Sequence, residues 1–253
     1  MRRCAVSSWS LDGLLQTGVP LLDIPAQLRH HGIAAFELCH FHLPTTDAAY
    51  LHALRDRFAA ARVELFSVLI DAGDIVTPDL VQRATDTAFT QQWIEIAAAL
   101  GATRVRIDAG QQPPTPEVIQ RSAEQLHTLA QYAASYGVAV STENWRTTSQ
   151  EPAVLLAILN ACPSQIGLCV DTGNAEATRD KYQTLAQLFP RATSVHFKAR
   201  YTSAGVIDND DVQHCRSLLQ AVAFDSVITL IYDRKQHEWD GIQQLRKALS
   251  PYV

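Results

Sequence analysis

The chain has 253 residues, 47% of them hydrophobic, and a formal charge of −5. That length fits two small domains or one α/β barrel of about 250 residues, and the apolar content suffices for a large core. The mild acidity argues against a nucleic-acid partner, which calls for a basic patch or stripe, and no stretch is long and apolar enough to span a bilayer.

In chain order, eight apolar runs rich in Val, Ile and Phe read as strands: 3–9, 33–39, 63–70, 104–108, 138–143, 166–171, 194–198 and 227–232. Helical spacing fills the gaps and is clearest over 78–100, 116–136 and 240–249. In the first of these, Val81, Ala84, Ala88, Trp93, Ile96 and Leu100 recur at the period of one buried face. Pro78 and Pro116 suit first-turn positions, with Thr77 and Thr115 as caps. Gly32, Gly101 and Gly137 each follow a helix and precede a strand, as left-handed terminators do. The alternation gives eight β/α units of roughly 30 residues and implies a parallel sheet. No G-x-G-x-x-G follows the first strand, so the main signal of a dinucleotide-binding sheet is lacking. The expected fold is a single (β/α)8 TIM barrel over residues 1–253.

Five cysteines, Cys4, Cys39, Cys162, Cys169 and Cys215, form no C-x-x-C pair. They read as reduced, mostly buried thiols of a cytoplasmic protein. The opening Met-Arg-Arg resembles a signal-peptide start, but Ser7, Ser8, Ser10 and Asp12 interrupt the apolar run that should follow. A homo-oligomer is compatible with this sequence.

Three strand ends carry the chemistry: Glu143 in VAVSTEN, Asp171 in GLCVDTGN and His196 in TSVHFKAR. In a barrel of such units, residues ending successive strands converge on the mouth where reactions occur. Two carboxylates and an imidazole suit Mn²⁺, Mg²⁺, Zn²⁺ or Fe²⁺. Each also has a structural reading: a solvated acid for Glu143, turn chemistry for Asp171 and a satisfied core histidine for His196.

With SSWSLDGLL, GIAAFELC, TEN, DTGN, VHFK and WDGIQQLRKAL in this order, the chain resembles the sugar phosphate isomerase/epimerase family of the xylose isomerase-like barrels over essentially its whole length. The resemblance implies a divalent metal at the mouth, with Glu143, Asp171 and His196 as three ligands. It also implies proton transfer next to the carbonyl of a small sugar-like substrate through a metal-held enediolate, with isomerase, epimerase or related lyase chemistry. The family's fourth ligand, a Glu on the eighth strand, falls on Ile231, which binds no metal and carries no proton. Asp233 shares its parity but lies about 6–7 Å further along, so it replaces that Glu only if the strand end bends back. A barrel that binds a sugar-like ligand without turnover is therefore the alternative. A DNA-repair endonuclease of the same barrel type needs a fuller ligand set, and Asn174 stands at one of its His positions.

The other expected site residues follow from strand parity and position. Lys198 would contact a substrate oxygen or act in catalysis with Glu143 and Asp233, or else pair with an acid. Glu37, His42, Arg106 and Asn174 are candidates for substrate binding. Glu37, His40 and His42 also read as structural, and Arg106 and Asp108 either pair with each other's neighbours or bind substrate hydroxyls. Trp9, Trp145 and Trp239 fall near strand ends, as an aromatic wall or as core packing.

Overall fold

The computed structural model describes residues 3–234 and 236–250. Eight strands form: β1 (Arg3–Ser7), β2 (Ala35–Cys39), β3 (Glu64–Ile70), β4 (Arg104–Ile107), β5 (Ala139–Glu143), β6 (Gly167–Asp171), β7 (Ser194–Phe197) and β8 (Val227–Leu230). All pair in parallel in sequence order, and β8 returns to β1 to close the barrel. The expected (β/α)8 architecture is therefore observed. Among the described residues no helix is long and apolar enough to cross a membrane.

Helix ends follow local chemistry. Thr115 Oγ1 accepts the Val118 N–H at 3.3 Å, and Pro116 opens the helix Pro116–Ala134. Gly32, Gly101 and Gly137 all take positive φ, as their terminating role requires. The helix Leu80–Leu100 corrects two expectations. Its cap is Asp79, which accepts the Val81 and Gln82 N–H groups at 2.9 and 3.0 Å, so Thr77 and Pro78 lie before it. Its apolar face is buried only from Thr90 onward, and Val81, Ala84 and Ala88 are exposed. Length explains this: the helix's 21 residues span about 31 Å, whereas the 4 residues of β4 span about 13 Å. The helix overshoots the wall it packs on.

The main core fills the ring between strands and helices, with Phe36, Leu38, Leu54, Val68, Ile94, Leu126, Val170 and Phe197 among its buried members. The barrel interior is different. Ser7, Glu37, Ser67, Arg106, Ser141, Glu143, Asp171, Ser194, His196 and Thr229 are all buried polar residues. Between β2 and β3 the register slips: Phe36 faces Leu65, but Glu37 faces Ser67. The extra residue, Phe66, packs with Ala5, Ala35 and Val227 in a cluster separate from the main core. The Arg3 and Arg104 guanidiniums lie over its ring at 5.7 and 5.4 Å.

At the C-terminal end the backbone ladder is prolonged by side chains. The Asn144 amide, just past β5, donates to the Asp171 carbonyl at 3.0 Å and accepts the Asp171 N–H at 2.7 Å. The Thr172 hydroxyl, just past β6, does the same to Lys198 at 3.0 and 2.9 Å. Past β1, Ser10 donates to the Leu230 carbonyl at 3.0 Å and accepts the Tyr232 N–H at 2.8 Å. These groups stand where splaying strands run out of backbone partners. Asn144→Ala leaves the buried Asp171 N–H and carbonyl without the amide, and we expect a loss of about 2–4 kcal/mol as a lower urea midpoint at unchanged slope.

Candidate active site

A cavity of about 220 Å³ opens at the C-terminal end of the barrel. All eight strand ends contribute to it: Ser7 and Trp9, Cys39, Leu69 and Asp71, Arg106, Glu143 and Trp145, Asp171 and Asn174, His196 and Lys198, and Ile231. Its buried centre is an imidazole among carboxylates. His196 Nε2 lies 2.7 Å from Glu37 Oε2, directly beneath the cavity. On the other side of the ring, Nδ1 faces Glu143 Oε1 at 3.6 Å and Asp171 Oδ2 at 3.7 Å. Burial alone would lower the His196 pKa, but Cys169, Glu37, Glu143 and Asp171 together hold it well above its ordinary value. The surroundings of this ring favour positive charge.

Each carboxylate is tied in place. Glu143 Oε1 accepts from Asn174 Nδ2 at 2.8 Å, and Oε2 lies 2.9 Å from Arg106 Nε. Asp171 Oδ1 accepts the Gly173 and Asn174 N–H groups at 2.6 and 2.7 Å, leaving Oδ2 turned to His196. Burial raises the Asp171 pKa, yet His196, the Asn174 N–H and Lys198 outweigh it and keep the carboxyl below its ordinary value. At Gly173 a Cβ would sit 2.4 Å from Lys198 Cδ, so a larger residue there would displace the Lys198 side chain. Lys198 Nζ is 2.7 Å from Asp233 Oδ2 at the rim.

Arg106 is the second buried cation. Besides Glu143 it meets Asp71 Oδ1 at 2.5 Å and Asp108 Oδ1 at 2.8 Å through Nη1. Arg146, in the left-handed region at φ 61°, reaches Asp108 Oδ2 at 3.4 Å and lies 3.8 Å over the Trp145 ring. Burial pushes the Asp108 carboxyl up to about 6, against the pull of Arg106.

The donor atoms of Glu143, Cys169 and His196 all lie within 4.8 Å of one another, a group able to hold a metal ion. The separations of Nδ1 from the Glu143 and Asp171 oxygens exceed a hydrogen bond. They are near the ~3.4 Å expected between donors that share one ion through ~2.1 Å bonds in tetrahedral geometry. The Nε2 contact to Glu37 is also the outer-shell support that fixes a metal-binding imidazole. Glu143, Cys169 and His196 therefore offer mutually close donors for a divalent ion, Asp171 lies outside that group with Oδ2 3.7 Å from His196 Nδ1, and Ile231 leaves the eighth-strand position apolar.

The profile of the xylose isomerase-like TIM barrel family matches residues 25–251. The chain belongs to that family. A comparison with curated protein sequences gives no match. Among solved structures, an L-ribulose 3-epimerase superimposes with TM-score 0.77 at 19% identity, covering 98% of this chain and 93% of that one. The IolI protein with a bound zinc atom gives 0.77 at 17%, covering 97% and 96%. A probable 3-DHS dehydratase from Bacillus anthracis, AsbF, gives 0.73 at 16%, covering 99% and 100%. These likenesses establish the barrel within the family.

The structure brings together Glu143, Asp171, His196, Asn174, Arg106 and Lys198 around the cavity, with Glu37 below. Arg106 is buried and committed to three carboxylates rather than turned outward. His42 does not line the cavity: Nδ1 is 2.8 Å from Ser8 Oγ and Nε2 is 3.0 Å from Asp12 Oδ1, which pins the loops after β1 and β2. His40 accepts the Asp71 N–H at 3.2 Å. Asp233 meets Lys198 at the rim and, like Asp171, lies outside the group of mutually close metal-capable donors; unlike Asp171, it makes no contact with His196 among the described residues. Trp9 and Trp145 line the cavity, whereas Trp239 stacks on His31 and donates to Gln27. Asp71 and Cys169 were missed, although Asp71 ends the apolar run VLID in the same manner as the three strand-end residues.

Because the Asp108 carboxyl is raised, the folded protein keeps a proton between about pH 4 and 6 that the unfolded chain has lost, so this group's contribution to stability falls as pH rises through that window. We expect Asp108→Asn to gain on the wild type between about pH 4 and 7, as measured by urea unfolding at the two pH values.

Proposed function

We propose that the chain is an isomerase or epimerase of a small sugar-like carbonyl compound, working by proton transfer α to the carbonyl. The observation that carries this reading is the convergence of Glu143, Asp171 and His196, with Nδ1 facing both carboxylates and Nε2 held by Glu37. Glu143, Asp171 and His196 would hold the divalent ion. Asp171 is preferred to Cys169 as third ligand because it ends β6 at the cavity with Oδ2 turned to His196, whereas Cys169 lies two residues deeper in the strand. A bound ion would polarise the substrate carbonyl and stabilise the developing negative oxygen.

The chain's own groups then divide the remaining work. Glu143 is the base: Asn174 and Arg106 fix its two oxygens, which sets its direction towards the cavity. Lys198, held by Asp233 and about one-third exposed (36%), contacts a substrate oxygen from the rim after β7, two strands from Glu143. Removal of a C–H proton by one carboxylate and its return to the adjacent carbon, with the hydroxyl proton passing between the two oxygens, moves a carbonyl between adjacent carbons. Inversion at carbon needs a second proton donor, and with Ile231 on β8 that role falls to the Lys198–Asp233 pair. A β-elimination, as in a lyase, would need fewer groups. The apolar Ile231 wall supports a second reading, a barrel that binds a sugar-like ligand without turnover.

Exchange of α-protons in D2O separates the two readings. With Mn²⁺, Mg²⁺ or Zn²⁺ supplied, the wild type is expected to exchange an α-proton of at least one ketose in a panel read by NMR. Glu143→Gln should slow that exchange by about 10²–10⁴-fold. A wild type that exchanges none of them under any of these ions supports the binding-only reading. Ile231→Glu is expected to tighten divalent-ion binding by roughly tenfold, about 1.4 kcal/mol, in calorimetric titration, and a loss of affinity would show that β8 does not face the ion.

A further inference from the structure

A second cavity, of about 560 Å³, adjoins the first and shares Trp145 and Asn174 with it. We infer that it receives a neutral sugar ring joined to the reacting keto sugar, so that the substrate is a glycosylated ketose and not a sugar phosphate. This rests on the isomerase-type reading of the first cavity. Three observations lead there.

The first is size. The inner cavity, at about 220 Å³, falls below the ~300–1,000 Å³ usual for a small-molecule site. The adjoining space is larger, and Asn174, whose amide orients Glu143, lines both. A ligand reacting at Glu143 therefore has room to extend past Trp145.

The second is the set of groups in that space. Thr147 and Gln150 line it, and among the described residues neither side chain has a hydrogen-bond partner. A hydroxyl and an amide offer donors and acceptors at neutral charge, which suits sugar hydroxyls.

The third is electrostatic. Arg146 is the one cation lining the cavity among the described residues, and it is already turned to Asp108 and to the Asp71 carbonyl, each at 3.4 Å. Glu176 lines the same space, with 39% of its side chain exposed. Its carboxylate meets Lys181 at 2.8 Å and Arg200 at 2.6 Å, and Lys181 is shared with Asp211 at 2.5 Å. With Glu176 already balanced by Lys181 and Arg200 and Arg146 engaged elsewhere, the lining offers a phosphate dianion no uncommitted cation to offset the cost of its desolvation. A hydroxyl would donate to the same carboxylate.

The test compares binding of D-fructose, D-fructose 6-phosphate and three glucosyl-fructoses (turanose, maltulose and palatinose) by calorimetry with Mn²⁺ present. At least one glucosyl-fructose is expected to bind roughly tenfold tighter than fructose. Ala177→Trp, which fills the second cavity from its exposed wall, should abolish that advantage and leave fructose binding unchanged. Gln150→Ala should reduce the advantage without filling space. The inference is overturned if fructose 6-phosphate binds tightest, if no glucosyl-fructose exceeds fructose, or if Ala177→Trp leaves the advantage intact. Fructose binding without a disaccharide advantage removes the second cavity alone. Failure of all five sugars to bind removes the isomerase-type reading and this inference with it.

Discussion

Buried negative charge at the barrel mouth is the constraint on which the rest depends. Glu37, Asp71, Asp108, Glu143 and Asp171 crowd one end of the barrel, most of them almost wholly removed from water. Isolated carboxylates in such a place would be prohibitively costly. Two cations at the centre make the arrangement tenable: Arg106, shared among Asp71, Asp108 and Glu143, and the His196 ring, lying among Glu37, Asp171 and the same Glu143. Each acid that balances a cation is also oriented by it, so charge compensation and geometric definition come from the same contacts. A pocket built this way leaves carboxylate oxygens gathered beside the His196 ring.

The departure at β8 changes the character of this pocket without dismantling it. Ile231 still extends the ladder, its N–H donating to the Phe197 carbonyl at 2.9 Å. The strand therefore keeps its course, and only the chemical function of one side chain is lost. Asp233 does not bend back towards the centre but serves as counter-ion to Lys198 on the rim. One wall of the cavity is thus acidic and ordered, while the facing wall carries an isoleucine and a partly exposed ion pair. This asymmetry is the physical basis for preferring one carboxylate base over two.

The barrel was legible in the sequence because its signals are local. Apolar runs, proline and threonine at helix starts and glycine at helix ends mark eight repeated units, and Thr115 and Gly101 behave as those signals imply. Glu143, Asp171 and His196 were legible for the same reason, since each ends an apolar run. What escaped notice depends on neighbours distant in sequence. Nothing in RVRID shows that Arg106 is saturated by Asp71, Asp108 and Glu143, or in CHFH that His42 bridges Ser8 and Asp12. The exposed Val81 is a related case, because helical period registers a face but not whether the sheet beneath it is long enough to cover it.

The slip at Phe66 governs more than the packing around that ring. Leu65 belongs to the outer core and Leu69 to the cavity, although four residues of regular strand would put both on one face. A single inserted residue reverses the phase of β3 between them. Beyond that point the alternate residues Ser67, Leu69 and Asp71 are turned inward as a result, and Val68 and Ile70 outward to the main core. In an uninterrupted strand Asp71 would point into the apolar ring of helices, and Arg106 would lose its nearest carboxylate. One irregular residue near the start of β3 thus decides, from the far end of the strand, whether the charge network at the mouth can close.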